Sequence, residues 1–160
     1  MGSINMNNAL EKAAKLDLNS ISSDELSYGV MSALVDAVKD LEHIDCPIVH
    51  RFGGGVYIRQ ITIPAGTCVV GKIHLTEHYN QVVSGKILVV QSDGKKLFID
   101  GPYTYLSGAY TQKTGYAIED TIWQTIHPTN ETDPNVIMDQ ITAIDEREMI
   151  AKIECVGGES

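Results

Sequence analysis

The chain is short of basic residues. Its 160 residues carry 12 Lys and Arg against 21 Asp and Glu, a formal net charge of −9. That balance leaves no electrostatic footprint for nucleic acid, and an anionic membrane surface would repel it. Cysteine is scarce as well. Cys46, Cys68 and Cys155 are odd in number and widely spaced, which argues against a disulfide framework and for a reducing compartment. No CxxC pair occurs, so a finger-type zinc site is not expected. No apolar run approaches the roughly 20 residues of a membrane span. The opening "MGSINMNNALEKAAKL" has no basic start followed by an apolar core, so a cytoplasmic location is expected. What remains is an ordinary globular composition, 43% apolar. The length suits one domain that can bury a core without metal or disulfide staples.

The texture changes along the chain. Residues 1–45 are rich in Ala, Leu, Asp and Asn. Ser22 stands three residues before Glu25, the spacing of a capping box. Leu26, Val30, Leu34, Val38 and Leu41 follow at helical spacing, so a helix is expected over about 23–42, and a shorter one over about 6–17. An apolar stripe of this kind packs on a barrel or on a neighbouring subunit. From residue 46 to 132, short β-rich runs alternate with turn signals, the pattern of a sandwich or barrel. "SDGK" at 92–95 reads as a hairpin turn, because Asp-Gly accepts positive φ at little cost, and "VSGK" at 83–86 reads as a second. "GGG" at 53–55 and "IPAG" at 63–66 read as loops, with Pro64 at a strand edge. Residues 133–160 form a tail expected to pack on the barrel. Thr132 or Asp133 could cap a short helix with Pro134 in its first turn. "DEREMIAKIEC" suits a strand or a helix equally.

The polar residues of "GKIHLTEHYNQVVSG", residues 71–85, converge on one face. Residues two apart on a strand point the same way, so Lys72 and His74 are expected to face the barrel interior. A turn at 75–77 would return His78 beside His74. Two neutral imidazoles there could bind a divalent cation. Lys72 cannot ligate while protonated, but it could hold an anion or act as a general acid. On the last strand Trp123, Thr125 and His127 share one face and Ile122, Gln124 and Ile126 the other. Alternation alone does not say which is inward. His127 is the candidate third ligand. Glu119 and Asp120 could form an acid–base pair with Lys113, though a solvated turn is the commoner fate of such residues. Candidate catalytic residues are therefore Lys72 and Glu119. Asn80, Lys113 and Tyr105 are candidate ligand-binding residues.

Gly66, Lys72, His74, His78 and Gly85 stand in the frame G-x5-H-x-H-x3-E-x6-G, with Lys72 at the first His and His78 at the Glu. This frame resembles the first motif of the cupin superfamily. The resemblance implies a mainly β, jelly-roll antiparallel barrel with a ligand pocket, often built around one divalent metal ion. The second motif departs from the pattern: its histidine would fall near Thr111 to Lys113, and none is there. His74, Glu77, His78 and Asn80, followed by Gly115, Ala117, Glu119, Asp120, Thr121, Trp123, Thr125 and His127, also look like segments of small cupin-like proteins of tailed bacteriophages. That likeness spans about residues 64–133 and implies a phage or prophage origin, with the host cytoplasm or the virion as location.

Two functions are then in view. One is an enzyme, metal-dependent or acid–base, acting on a small polar molecule by isomerisation, lyase chemistry or oxygenation. The incomplete second motif counts against oxygenation. The other is a non-catalytic phage protein, either a virion component or a factor that sequesters a host molecule. A purely structural barrel would fill its inner face with apolar side chains. The mixed set Lys72, His74, His78 and Asn80 favours a small-molecule pocket. A homo-oligomer, a dimer first, is expected because the N-terminal helix needs cover.

Overall fold

The computed structural model describes residues 3–5 and 44–157. The helices expected over 6–17 and 23–42 lie outside the described residues. Among the described residues twelve strands run in chain order: β1 (Ser3–Asn5), β2 (Ile48–Gly53), β3 (Val56–Ile63), β4 (Thr67–Val70), β5 (Ile73–His74), β6 (His78–Ser84), β7 (Lys86–Gln91), β8 (Lys96–Asp100), β9 (Tyr103–Ser107), β10 (Lys113–Ala117), β11 (Thr121–Pro128) and β12 (Thr142–Ala143). Two helices, α1 (Pro134–Ile141) and α2 (Glu146–Gly157), flank β12.

The strands form two antiparallel five-stranded sheets, ordered β1-β4-β10-β7-β8 and β2-β3-β11-β6-β9, plus the pair β12-β5. Leaving aside the added edge strands β1 and β2, the eight strands from β3 to β11 (without β5) split as β3-β11-β6-β9 facing β4-β10-β7-β8. That interleaving is the jelly roll, two Greek keys wrapped face to face.

Alternation sets what lies between the sheets. Ile61 and Ile63 of β3, Val82 of β6, Ile87 and Val89 of β7, Ala117 of β10 and Trp123 of β11 form one apolar cluster. Gly115 lets β10 close on it: a Cβ there would stand 2.9 Å from Ile87 Cδ1 and 3.0 Å from Trp123 Cζ3. The tail seals one end. Ile137 and Ile141 of α1 pack on Tyr57, and Met149 of α2 packs with Ile73 and Ala143.

Local signals explain the turns. Gly94 takes φ +91° between β7 and β8, as the Asp-Gly pair predicts. Gly53, Gly54 and Gly55 turn β2 into β3. The "VSGK" segment is not a hairpin. It carries the chain from β6 in one sheet to β7 in the other. Gly85 sits there at φ +96°, and a Cβ would come within 2.3 Å of the Asp120 carbonyl oxygen. Asp133 caps α1, its carboxylate accepting from the Asn135 N–H, with Pro134 in the first turn. Segment 146–157 is helical.

Candidate functional site

The interior is divided. Its apolar half lies toward the β10–β11 turn. Its polar half lies toward the tail and holds His74, His78, Asn80, Gln91, Ser107, Lys113 and His127, all buried. Trp123 and His127 are on the inward face of β11, which settles the alternation that sequence left open.

His74 is pinned by backbone on both sides. It pairs with Thr142 of β12, its N–H donates to the Thr111 carbonyl at 2.8 Å, and its carbonyl accepts from Tyr110 N–H at 2.6 Å. His78 opens β6 beside it, and His127 stands across on β11. The ring centroids are 4.4 Å apart for His74 and His78, 4.8 Å for His78 and His127, and 5.6 Å for His74 and His127. The rings are nearly parallel, with interplanar angles from 3° to 29°.

Lys113 reaches this cluster from the start of β10. Its Nζ lies 2.7 Å from His78 Nε2 and 3.4 Å from Ser107 Oγ. Ser107 Oγ is held by Asn80 Nδ2 at 2.9 Å and donates to Gln91 Oε1 at 3.1 Å. His78 Nδ1 is 2.9 Å from the Thr76 carbonyl. A carbonyl only accepts, so Nδ1 carries the proton and neutral His78 offers a lone pair at Nε2. Lys113 is therefore the donor in the pair.

Burial decides the protonation states. It pushes Lys113 down to about 7, Asp93 pulling weakly the other way. Burial, then the Lys113 charge, pushes His78 down to about 3 and His127 to about 4, with a weaker upward pull on His78 from the Thr76 hydrogen bond. The same two causes hold His74 well below its usual range. All three imidazoles are neutral at pH 7. His74 Nδ1, His127 Nδ1 and Asn80 Oδ1 are buried without a hydrogen-bond partner.

Beside the cluster a cavity of about 250 Å³ opens toward the tail. Its apolar wall includes Ile48, Ile61, Val69, Trp123 and Met138. Its polar wall includes His50, Arg59, Lys72, His74, Lys113, Thr125 and Asn135. Among the described residues, no carboxylate lines it. Pro134 and Asn135, the first residues of α1, present a helix N-terminus with its partial positive charge. Within a chain of net charge −9, this wall concentrates positive charge.

The structure brings together His74, His78, His127, Lys113 and Asn80. Lys72 precedes β5, is exposed, and reaches only the cavity rim, because the strand spans just Ile73–His74. Glu119 is not in the site. It lies on the exposed β10–β11 turn, paired with Lys86 at 3.3 Å. Thr121, which opens β11 just past that turn, is already six residues from His127, about 20 Å of extended chain. The suggested pairing of Glu119 and Asp120 with Lys113 is thus not formed; Asp120 instead accepts from Ala65 N–H. Tyr105 is half-buried against the apolar cluster, its hydroxyl buried without a partner. Glu77 is exposed. Arg59 was not singled out by sequence, although it shares a face with Ile61 and Ile63 and so had to point inward. His50 Nδ1 lies 2.7 Å from the Tyr57 hydroxyl, and His50 lines the same cavity.

The cupin resemblance implies a divalent cation at His74, His78 and His127. Neutral imidazoles are the right donors. Yet His78 has spent its N–H on Thr76 and its lone pair on Lys113. The groups whose charge acts on His74 are Lys113, His78, His127 and Arg59, every one a base and none an acid. Among the described residues, no group of three or more His, Cys, Asp or Glu is set to hold a metal ion. With Lys113 in place, a dication does not fit.

No protein-family model matches the chain, and no curated protein matches it in sequence. Solved structures do resemble it. An RmlC-like cupin family protein with a double-stranded β-helix fold from Methanocaldococcus jannaschii is 9% identical, at a TM-score of 0.46 over 54% of this chain and 82% of that one. A cupin superfamily protein from Desulfitobacterium hafniense is 10% identical, at 0.47 over 60% and 87%. A salicylate 1,2-dioxygenase mutant from Pseudoaminobacter salicylatoxidans is 14% identical, at 0.47 over 59% of this chain but 27% of that one. Likeness of this size carries no argument about chemistry, and the jelly roll stands on strand order.

Proposed function

We propose that this jelly roll takes up a small organic anion and that Lys113 exchanges a proton with it. The observation that carries the reading is the cavity wall: among the described residues it holds Arg59, Lys72 and Lys113 and no carboxylate, facing an apolar wall built on Trp123. A ligand with an anionic head and a compact apolar body matches both walls. Arg59 suits a carboxylate because its fork donates two parallel hydrogen bonds. A general acid–base group works best with a pKa near the working pH. Lys113, pushed down to about 7, has that property. His78 holds its amino group by accepting one N–H, and Ser107 stands within 3.4 Å of it. The reaction class this supports is proton transfer to or from a carbon or oxygen next to the anionic group, as in isomerase or lyase chemistry.

The phage-type likeness of residues 64–133 supports placing such a protein in an infected host cell. A second reading, sequestration without turnover, is favoured by the lack of a partner carboxylate among the described residues of the wall, since a single acid–base group serves capture as well as catalysis. The assembly we propose is a homodimer. β2 is a sheet edge with all six residues exposed, Ile48, Val49 and Phe52 among them.

The test is a thermal-shift screen with matched sets of small carboxylates, their amides and their amines. Stabilisation by the carboxylates alone supports the reading. Equal response to amides or amines removes it.

A further inference from the structure

Jelly-roll pockets with clustered histidines invite a metal ion, and here three imidazoles gather while one lysine intrudes. Lys113 is 5% exposed, and its side chain crosses from β10 to meet β6. The cradle for its amino group is built, not incidental. His78 Nε2 accepts at 2.7 Å, and Ser107, fixed by Asn80 and Gln91, stands at 3.4 Å. Meanwhile His74 Nδ1 and His127 Nδ1 are buried without partners in the same cluster. We propose that Lys113 supplies, as part of the chain, the positive charge that a bound metal ion would bring to His74, His78 and His127, and that it thereby keeps metal out. The inference goes beyond the anion reading, because it concerns the imidazoles and holds whichever ligand the cavity takes.

The physical reason is simple. A dication entering the cluster meets an ammonium at contact distance, and the carboxylate that acts on that ammonium, Asp93, offsets it less than burial opposes it. The same ammonium occupies the His78 lone pair that a metal would need. Lys113→Met keeps the unbranched apolar stem out to the ε position but removes the charge and the donor. The His78 lone pair is then free, and three neutral imidazoles are a donor set that cobalt and zinc accept after small ring rotations.

The experiment titrates Co²⁺ into untagged, chelator-treated protein at neutral pH, read by visible absorption, with Zn²⁺ calorimetry alongside. The proteins are the natural chain, Lys113→Met, Lys113→Ala and Lys113→Met with His74→Ala. Circular dichroism certifies that each is folded. The expected result is uptake of about one equivalent by either folded single variant, at least about 100-fold tighter than by the natural chain, the scale like-charge repulsion at contact sets. His74→Ala should abolish that gain. Stoichiometric, equally tight binding by the natural chain would overturn the proposal. So would folded Lys113→Met and Lys113→Ala that bind no better than the natural chain. No organic anion is present, so neither outcome depends on the proposed ligand.

Discussion

Lys113→Met also makes a prediction about stability whose sign depends on pH. Lys113 falls from 10.5 to about 7 on folding. Between those values the unfolded chain holds a proton that the folded chain has released, so the natural protein gains stability as pH rises through that window and carries the full penalty below it. The penalty is the shift times about 1.4 kcal/mol per unit, about 5 kcal/mol at most at pH 6. Methionine removes it. Against that, His78 Nε2 loses its donor, which costs about 1–3 kcal/mol for a buried unpaired group. The variant should therefore be more stable than the natural protein by about 2–4 kcal/mol at pH 6. By pH 10 most of the penalty is gone, and the variant should be equal or less stable. Urea unfolding at pH 6, 8 and 10, followed by Trp123 fluorescence, measures this. A gap that is absent at pH 6, or constant from pH 6 to 10, would refute the picture of a buried, charge-penalised lysine.

The neutral imidazoles give the acid counterpart. His78 and His127 are pushed down to about 3 and about 4, so the unfolded chain alone takes up their protons as pH falls below 6.5, and stability should fall by up to about 1.4 kcal/mol per pH unit for each. His127→Phe, which keeps the stack on Tyr57, should flatten that slope in urea midpoints taken between pH 6.5 and 4.5, and an unchanged slope would count against it. Gly85→Ala should cost about 3 kcal/mol or more, from positive φ and the clash with the Asp120 carbonyl, while leaving anion binding intact in the folded fraction. Sedimentation velocity should show a dimer, and Phe52→Glu on the exposed edge strand should shift it toward monomer; a monomeric natural chain would end that reading.

What could be read beforehand followed from local chemistry. Asp-Gly at 93–94, Asp133 before Pro134, and the spacing of His74 and His78 each specify their own few residues. The misreadings needed knowledge of which strands pair. "VSGK" looks like any hairpin turn until β6 and β7 are seen in different sheets. Glu119 seemed close to Lys113 because only five residues separate them along the chain. An extended strand, however, carries them to opposite ends of the interior. Lys113 itself was visible as a departure, a lysine where the resemblance called for histidine. Its meaning came from the 2.7 Å contact with His78 across the barrel. Arg59 was legible in principle from its place in Tyr57, Arg59, Ile61, Ile63, an inward face broken by one cation.

Binding of a small organic anion in the cavity can be followed from within it. Trp123 is the single tryptophan and lines that cavity. Titrating the strongest carboxylate from the thermal screen into the natural chain and into Arg59→Gln, with Trp123 emission as the signal, tests it most directly. The expected result is a saturable change in the natural chain, weakened by tenfold or more in Arg59→Gln, about 1.4 kcal/mol of lost charge-assisted hydrogen bonding. Equal affinity in both proteins, or no saturable change in the natural chain, would contradict it.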